Sequence, residues 1–138
     1  MTEILSTRHH LQEMFSEMVI KKNASLIAHY YHPDFILETN GQKQDYKNFS
    51  AGHEKIYATD ITYEIKYDDS TWVESATKVA ARVWIKTQRL NEAPVEFEIV
   101  LIATYVDRKI HRLWELTSPD WTQTKTFENY AQGKTVYP

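Results

Sequence analysis

The chain has 138 residues, of which 42% are hydrophobic and 13% aromatic, and these values suit one globular domain with a substantial core. Its 16 basic and 19 acidic residues give a formal net charge of −3 without a basic stripe, so nucleic-acid binding is not expected. The lack of cysteine excludes disulfides and thiolate chemistry. No segment resembles a signal peptide or reaches membrane-spanning length, so we predict a cytoplasmic protein without a membrane partner.

The first third of the chain has helical periodicity. Asn23 is a suitable N-cap for a second helix over residues 24–31, and Pro33 ends it because the residue before a proline avoids helical geometry. Asp45 is placed to cap a third helix that carries His53 on its apolar face. The first helix is predicted from apolar residues at three-to-four spacing, namely Leu11, Phe15, Met18 and Val19.

After residue 60 the period changes to the alternation that is typical of half-buried strands. Asn40-Gly41 is a strong turn signal, and the polar linker 89–94 predicts a hairpin between two long strands. Helices followed by a meander define an α+β order. The predicted strands cover residues 35–39, 61–67, 78–88, 95–106 and 110–117.

Pro119 ends the last predicted strand. We therefore place one domain at residues 1–120 and a C-terminal tail at residues 121–138. The tail is polar, has scattered aromatic residues and shows no regular period, so its role is not predicted.

Two segments resemble the SnoaL-like family of the nuclear transport factor 2-like superfamily. They are residues 23–35, which end in Tyr-Tyr-His-Pro-Asp-Phe, and the strand–turn–strand of residues 105–115. The element order also matches over residues 5–120. The resemblance implies a cone in which three N-terminal helices pack on a strongly curved, mainly antiparallel sheet that encloses a pocket, usually in a dimer. Its members include isomerases, cyclases, hydro-lyases, binding modules and transport factors, so the fold alone does not give the function.

The catalytic positions of two enzyme types in this superfamily are replaced here. By the resemblance, the tyrosine, base and second acid of a ketosteroid isomerase fall on Phe15, Thr39 and Leu101, none of which can serve in those roles. The aspartate of a SnoaL-type cyclase falls on Ser118, and Asp120 nearby is interpreted as a solvated loop residue. We therefore assign no catalytic set from the resemblance.

Three titratable residues stay as candidates for chemistry or ligand contact. His53 lies between apolar residues of helix 3, where a packed histidine is the commoner role. His111 and Glu115 are four apart on the last strand, while Arg112 and Trp114 occupy the other face, and either face could line the pocket. The predicted pocket lining is Phe15, Tyr31, Leu37, Thr39, Phe49, His53, Val83, Ile99 and Leu101.

No cofactor or metal is expected. His29 and His32 are three residues apart, as on one face of a helix, but no inward-facing acidic residue accompanies them. Pro33 also disrupts the helical turn that carries them. Three isolated glycines exclude a glycine-rich phosphate loop.

The outer sheet face carries apolar residues beside charged ones, which predicts a second buried surface. Trp84, Val100 and Ile102 would form the centre of a homodimer interface. Alternatively, the tail could cover this face through Trp121, Phe127 or Tyr130.

Three functions follow from these patterns. The first is a pocket domain that binds a small apolar or aromatic molecule, with no catalysis assigned. The second is an isomerase-, cyclase- or hydro-lyase-type enzyme for an apolar, polyketide-like or steroid-like substrate, with His53, His111 or Glu115 as the acid–base group. The third is a dimeric protein-interaction module with a closed pocket.

Overall fold

The computed structural model describes residues 5–130, with side chains described from residue 5 to residue 127. The N-terminal helix α1 (Thr7–Met14) begins where the side chain of Ser6 accepts a hydrogen bond from the backbone N–H of His9. It continues as a π-helical segment, Phe15–Ile20. Its buried stripe includes Leu11, Phe15 and Met18, as its apolar spacing predicts.

The second predicted helix is shorter than expected. A 3₁₀ turn (Ala24–Leu26) begins at Asn23 and leads into a single turn, α2 (Ile27–Tyr30). Strand β1 (Tyr31–Thr39) then starts four residues earlier than predicted. Pro33 lies where the pairing register of β1 shifts, between Tyr31 and Ile36, so its missing N–H costs no regular ladder hydrogen bond.

The remaining elements follow the predicted order, with two short strands in addition. Helix α3 (Tyr46–Tyr57) is capped by the Asp45 carboxylate, which accepts from the N–H of Asn48. The additional strands are β2 (Gln42–Asp45) and β4 (Val73–Glu74). The long strands are β3 (Thr62–Tyr67), β5 (Lys78–Gln88), β6 (Val95–Val106) and β7 (Lys109–Ser118).

The strands form a curved mixed sheet in the order β2-β1-β7-β6-β5-β3, with β4 paired to β5. Strands β1 and β7 are parallel, and the other pairs are antiparallel. The helices cover the concave face, where Phe35, Val83 and Leu101 are almost fully buried. The predicted α+β cone of helices on a mainly antiparallel sheet is thus confirmed.

A bulge in β7 decides which of its residues face inward. Tyr105 pairs with Ile110, but Thr104 pairs with Arg112, so His111 is an extra residue without a partner opposite it. Beyond the bulge Leu113 and Thr117 are buried, while Trp114 is exposed. Glu115 therefore lies on the concave face, and the bulge removes His111 from the alternation that would have placed it there too.

The last described part of the chain folds against the cone. Two 3₁₀ stretches, Trp121–Gln123 and Lys125–Tyr130, form what we call the C-terminal segment. Trp121 and Phe127 pack against the buried core. The boundary at residue 120 stays a prediction, and residues 131–138 lie outside the described residues. In the part of the chain from residue 5 to residue 130, no helix is long and apolar enough to cross a bilayer.

The turn between β1 and β2 also ties these strands to β7. Asn40 and Gly41 both have positive φ, at 48° and 86°, as expected for an Asn-Gly hairpin turn. The Asn40 side chain accepts from the N–H of Thr117 at 3.0 Å and donates to the carbonyl oxygen of Thr117 at 3.2 Å.

We expect Asn40→Gly to lower the free energy of unfolding by about 1–3 kcal/mol, because glycine keeps the positive φ but loses the side-chain bonds to Thr117. Asn91→Gly is the matched control, since Asn91 also has a positive φ of 63° but is exposed and has no side-chain hydrogen bond within the described chain. The control should change stability by less than about 0.5 kcal/mol. Urea unfolding measures both, and equal effects would contradict the assigned role of the Asn40 side chain.

Candidate functional site: an apolar cavity that contains Glu115

A partly open cavity of about 110 Å³ lies between the helices, the concave sheet face and the C-terminal segment. Among the described side chains that line it, all but Glu115 and His53 are apolar or aromatic. It is thus suited to hold an apolar molecule with few polar contacts. Its lining consists of Met14, Phe15, Met18, Val19, Tyr31, Leu37, Phe49, His53, Ile56, Tyr57, Tyr63, Ile85, Phe97, Ile99, Leu113, Glu115, Trp121 and Phe127.

The Glu115 carboxyl group is held in the cavity wall by two hydrogen bonds. Thr39, its neighbour across the parallel pairing of β1 and β7, donates from Oγ1 to Glu115 Oε1 at 2.9 Å. Trp121 donates from Nε1 to the same oxygen at 2.8 Å. Burial raises the pKa of Glu115, and the two hydrogen bonds act in the opposite direction because they stabilise the charged form.

The His53 ring lies on α3 and is neutral near pH 7. Desolvation by burial lowers the pKa of His53 to about 4. Its Nδ1 lies 2.8 Å from the carbonyl oxygen of Phe49, which can only accept, so Nδ1 carries the proton and Nε2 is the acceptor nitrogen. The ring centroid of His53 lies 4.1 Å from that of Phe49 and 5.4 Å from that of Tyr57.

Aromatic rings form most of the wall between these two groups. Phe49 contacts Tyr31 at a centroid distance of 4.7 Å, and Phe97 contacts Phe127 at 5.6 Å. The interplanar angles, 51° and 62°, are tilted or edge-on, as aromatic pairs prefer. Contacts of this kind give the cavity a defined shape.

Arg89 fastens the C-terminal segment over the cavity. Its side chain is only 9% exposed, and its Nε donates to the carbonyl oxygen of Thr126 at 2.8 Å. Its Nη1 lies 3.4 Å from the carboxylate of Asp60, which also accepts from the N–H of Leu90. A buried guanidinium needs such partners, so this set links the β5–β6 turn, the start of β3 and the segment that carries Phe127.

The structure brings together six of the nine residues predicted to line the pocket. Thr39 does not line the cavity but is hydrogen-bonded to Glu115, which does. Val83 and Leu101 are buried in the sheet core and do not contact the cavity. Among the candidate acid–base residues, Glu115 joins His53 at the cavity. The six lining residues are Phe15, Tyr31, Leu37, Phe49, His53 and Ile99.

His111 lies away from the cavity. Its ring contacts His32 at a centroid distance of 4.9 Å, and its Nε2 is 3.3 Å from Nη1 of Arg112. Ser118 is exposed at the end of β7, and the Asp120 carboxylate caps the 3₁₀ turn by accepting from the N–H of Thr122. Among the side chains of residues 5–127, no three histidine or acidic groups lie close enough together to hold a metal ion.

Trp121 and Phe127, which were the alternative cover for the outer sheet face, line the cavity on the concave side instead. They lie in a segment without periodicity, and only its aromatic content distinguishes it from a polar loop. Tyr57, Tyr63 and Phe97 also line the cavity, although the predicted pocket lining does not include them. The alternation of the predicted strands is the signal that places Tyr63 and Phe97 on an inward-facing set, and Tyr57 directly follows Ile56 of the third helix.

The comparisons with known proteins agree with this architecture. No protein-family model and no curated protein matches the sequence. PrhC from Penicillium brasilianum has a solved structure similar to this chain, with a TM-score of 0.68 and 16% identity over 95% of this chain and 93% of PrhC. An M. tuberculosis epoxide hydrolase described as LEH-like has a TM-score of 0.68 at 10% identity, covering 91% of this chain and 89% of its own.

A third similar structure is a SnoaL-like polyketide cyclase from Agrobacterium tumefaciens. Its TM-score is 0.60 at 17% identity, over 94% of this chain and all of the cyclase. At such identities these likenesses establish the fold alone. The chain therefore has the nuclear transport factor 2-like fold that residues 23–35 and 105–115 predict.

The neutral state of His53 predicts a pH dependence of stability. Its pKa is about 4 when folded, below the ordinary 6.5, so its stabilising effect is complete above pH 6.5 and is lost as pH falls toward 4. Burial also lowers the pKa of His10 to about 4, so His10 likewise lowers the free energy of unfolding as pH falls. Glu115 has a raised pKa, so its contribution to the free energy of unfolding increases as pH falls. We expect the free energy of unfolding of His53→Gln to fall by about 1–3 kcal/mol less than that of the wild type when the pH is lowered.

Urea unfolding at pH 7 and at pH 4.5 measures this difference. NMR titration of the His53 ring in the folded protein provides a direct check. A ring that titrates near pH 6.5 would show that His53 is not desolvated by the cavity.

Proposed function

We propose that the protein binds a small, mainly apolar or aromatic molecule in the cavity of the cone. The observation that carries this proposal is a cavity with mainly apolar walls that contain the carboxyl group of Glu115 and the neutral imidazole of His53. Core packing alone does not need a buried carboxyl group, and desolvation makes one costly there. A ligand contact gives a reason for Glu115 to occupy this position.

A second candidate function is acid–base catalysis on the bound molecule. Glu115 has a raised pKa and His53 a lowered one, and both groups line the same cavity. Perturbed titratable groups in one cavity are typical of sites that move protons. Two of the proteins with similar structures are a SnoaL-like polyketide cyclase and an LEH-like epoxide hydrolase, and both of these are enzymes. This candidate differs from binding alone in requiring turnover.

Ile85 is a partly buried residue that lines the cavity, so the substitution Ile85→Trp tests the binding function by filling the cavity with a larger ring. The larger ring should abolish binding of a neutral apolar probe such as toluene, measured by ligand-observed NMR. Ile65→Trp is the matched control, because Ile65 is the cross-strand partner of Ile85, is also partly buried and does not line the cavity. Binding that survives in Ile85→Trp would place the probe elsewhere and contradict the proposal.

We propose further that the protein forms a homodimer through the outer face of its sheet. Four neighbouring apolar residues of β6 and β7 are exposed there. They form two cross-strand pairs, Val100 with Leu116 and Ile102 with Trp114. Their exposed fractions are 50% for Val100, 66% for Leu116, 47% for Ile102 and 40% for Trp114. We call these four residues the outer patch.

The surroundings of the outer patch favour a second copy of the chain as its occupant. Trp84 lies beside it under the guanidinium of Arg82, at 4.6 Å, and Arg82 also contacts Glu98. Charges of both signs at the rim of an apolar centre are self-complementary under two-fold symmetry. Trp121 and Phe127 pack on the opposite, concave side, and the Tyr130 side chain lies outside the described side chains.

Ile102→Glu should convert the dimer to monomer, because it would place a charge at the centre of the outer patch. Leu90→Glu is the control, since Leu90 is 74% exposed in the β5–β6 turn, away from the outer patch. Sedimentation velocity at micromolar concentration measures the effect. A wild-type protein that sediments as a monomer would contradict the dimer.

A further inference from the structure

The hydrogen bonds of Glu115 leave one oxygen available to a ligand. Thr39 and Trp121 both donate to Oε1, and no other hydrogen bond to this carboxyl group exists within residues 5–127. An indole N–H can only donate, so the surroundings of Glu115 are arranged for it to accept. Oε2 therefore offers lone pairs on the one acidic group that lines the cavity among residues 5–127.

The size of the cavity restricts what can lie beside that oxygen. An engineered apolar cavity of about 150 Å³ in another protein holds benzene. The cavity here, at about 110 Å³, is slightly smaller. The space thus accommodates about one six-membered ring with a small substituent, and a second fused ring would extend beyond it.

The walls favour a flat, polarisable ring. Aromatic side chains approach the cavity from α3, from the sheet and from the C-terminal segment, and two thioethers, Met14 and Met18, approach from the N-terminal helix. Methionine sulfur and tilted aromatic rings both make favourable contacts with the ring of a ligand.

The balance of charge favours a neutral ligand. His53 is uncharged near pH 7, and the pKa of Glu115 is raised because its surroundings disfavour a desolvated charge. An ammonium ligand would pair with the carboxylate, but both ions would lose their hydration, a cost that often exceeds the gain from pairing. A hydroxyl donates to the same oxygen at a lower desolvation cost.

We propose that the ligand is a neutral molecule built on a single ring that carries a hydroxyl group, and that this hydroxyl donates a hydrogen bond to Oε2 of Glu115. This assignment rests on the proposed binding function and deepens it by naming the ligand class. It also assigns Glu115 as the specificity-determining residue of the cavity.

Ligand-observed NMR titration with four probes tests the assignment: toluene, phenol, benzylamine and 2-naphthol. In the wild type, phenol should bind more tightly than benzylamine, and 2-naphthol no more tightly than phenol despite its second ring. In Glu115→Gln the ratio of phenol affinity to toluene affinity should fall about ten-fold, because a charge-assisted hydrogen bond is lost. Glu64→Gln is the control of equal charge change, since Glu64 is exposed on β3, and it should leave that ratio unchanged.

An unchanged ratio in Glu115→Gln, tighter binding of benzylamine, or tighter binding of 2-naphthol would each overturn the assignment while leaving the binding function intact. If none of the four probes binds, the proposed binding function itself fails. Should Glu115→Gln not fold, the wild type provides a second measurement. The ¹³C shift of the Glu115 side-chain carboxyl should respond to phenol and not to toluene, and an equal response to both would overturn the assignment.

Discussion

The parallel pairing of β1 with β7 is the contact on which the rest of the structure depends. It joins the strand that follows the first helices to the last strand of the meander, and so holds those helices over the concave face. It also places Thr39 opposite Glu115, while the N–H of Asn40 donates to the Glu115 carbonyl oxygen at 3.0 Å. The position of the cavity carboxyl is therefore determined by a long-range strand pairing.

A buried carboxyl group is a compromise between stability and binding. The apolar walls that make the cavity suitable for a small molecule also disfavour the ionised form of Glu115. Hydrogen bonds from Thr39 and Trp121 offset part of this cost and restrict the orientation of the group. His53 is treated differently, since it stays neutral and donates to its own helix at Phe49. The cavity therefore combines one group that can carry charge with one that is kept uncharged.

Much of the fold could be predicted because alternation and capping are local signals. The bounds predicted for β5 and β6 agree with the structure, and Asp45 caps α3 as expected. The early start of β1 could not be predicted, because its pairing with β7 overrides the local preference of residues around Pro33. The bulge at His111 was also beyond local signals, and it decided that Glu115 faces the cavity while His111 does not. The site was thus predicted in part, mainly through residues on regular elements.

The C-terminal segment gives the cavity a wall that the sheet and helices do not need for their own pairing. Trp121 and Phe127 contact the space where a ligand would lie, yet Arg89 holds their segment largely through a backbone carbonyl oxygen, that of Thr126. Because a backbone acceptor is present whatever the side chain, aromatic residues in this segment could be exchanged during evolution without loss of the anchor. Ligand preference could then diverge between descendants of this protein while the anchor of the segment at Arg89 is retained.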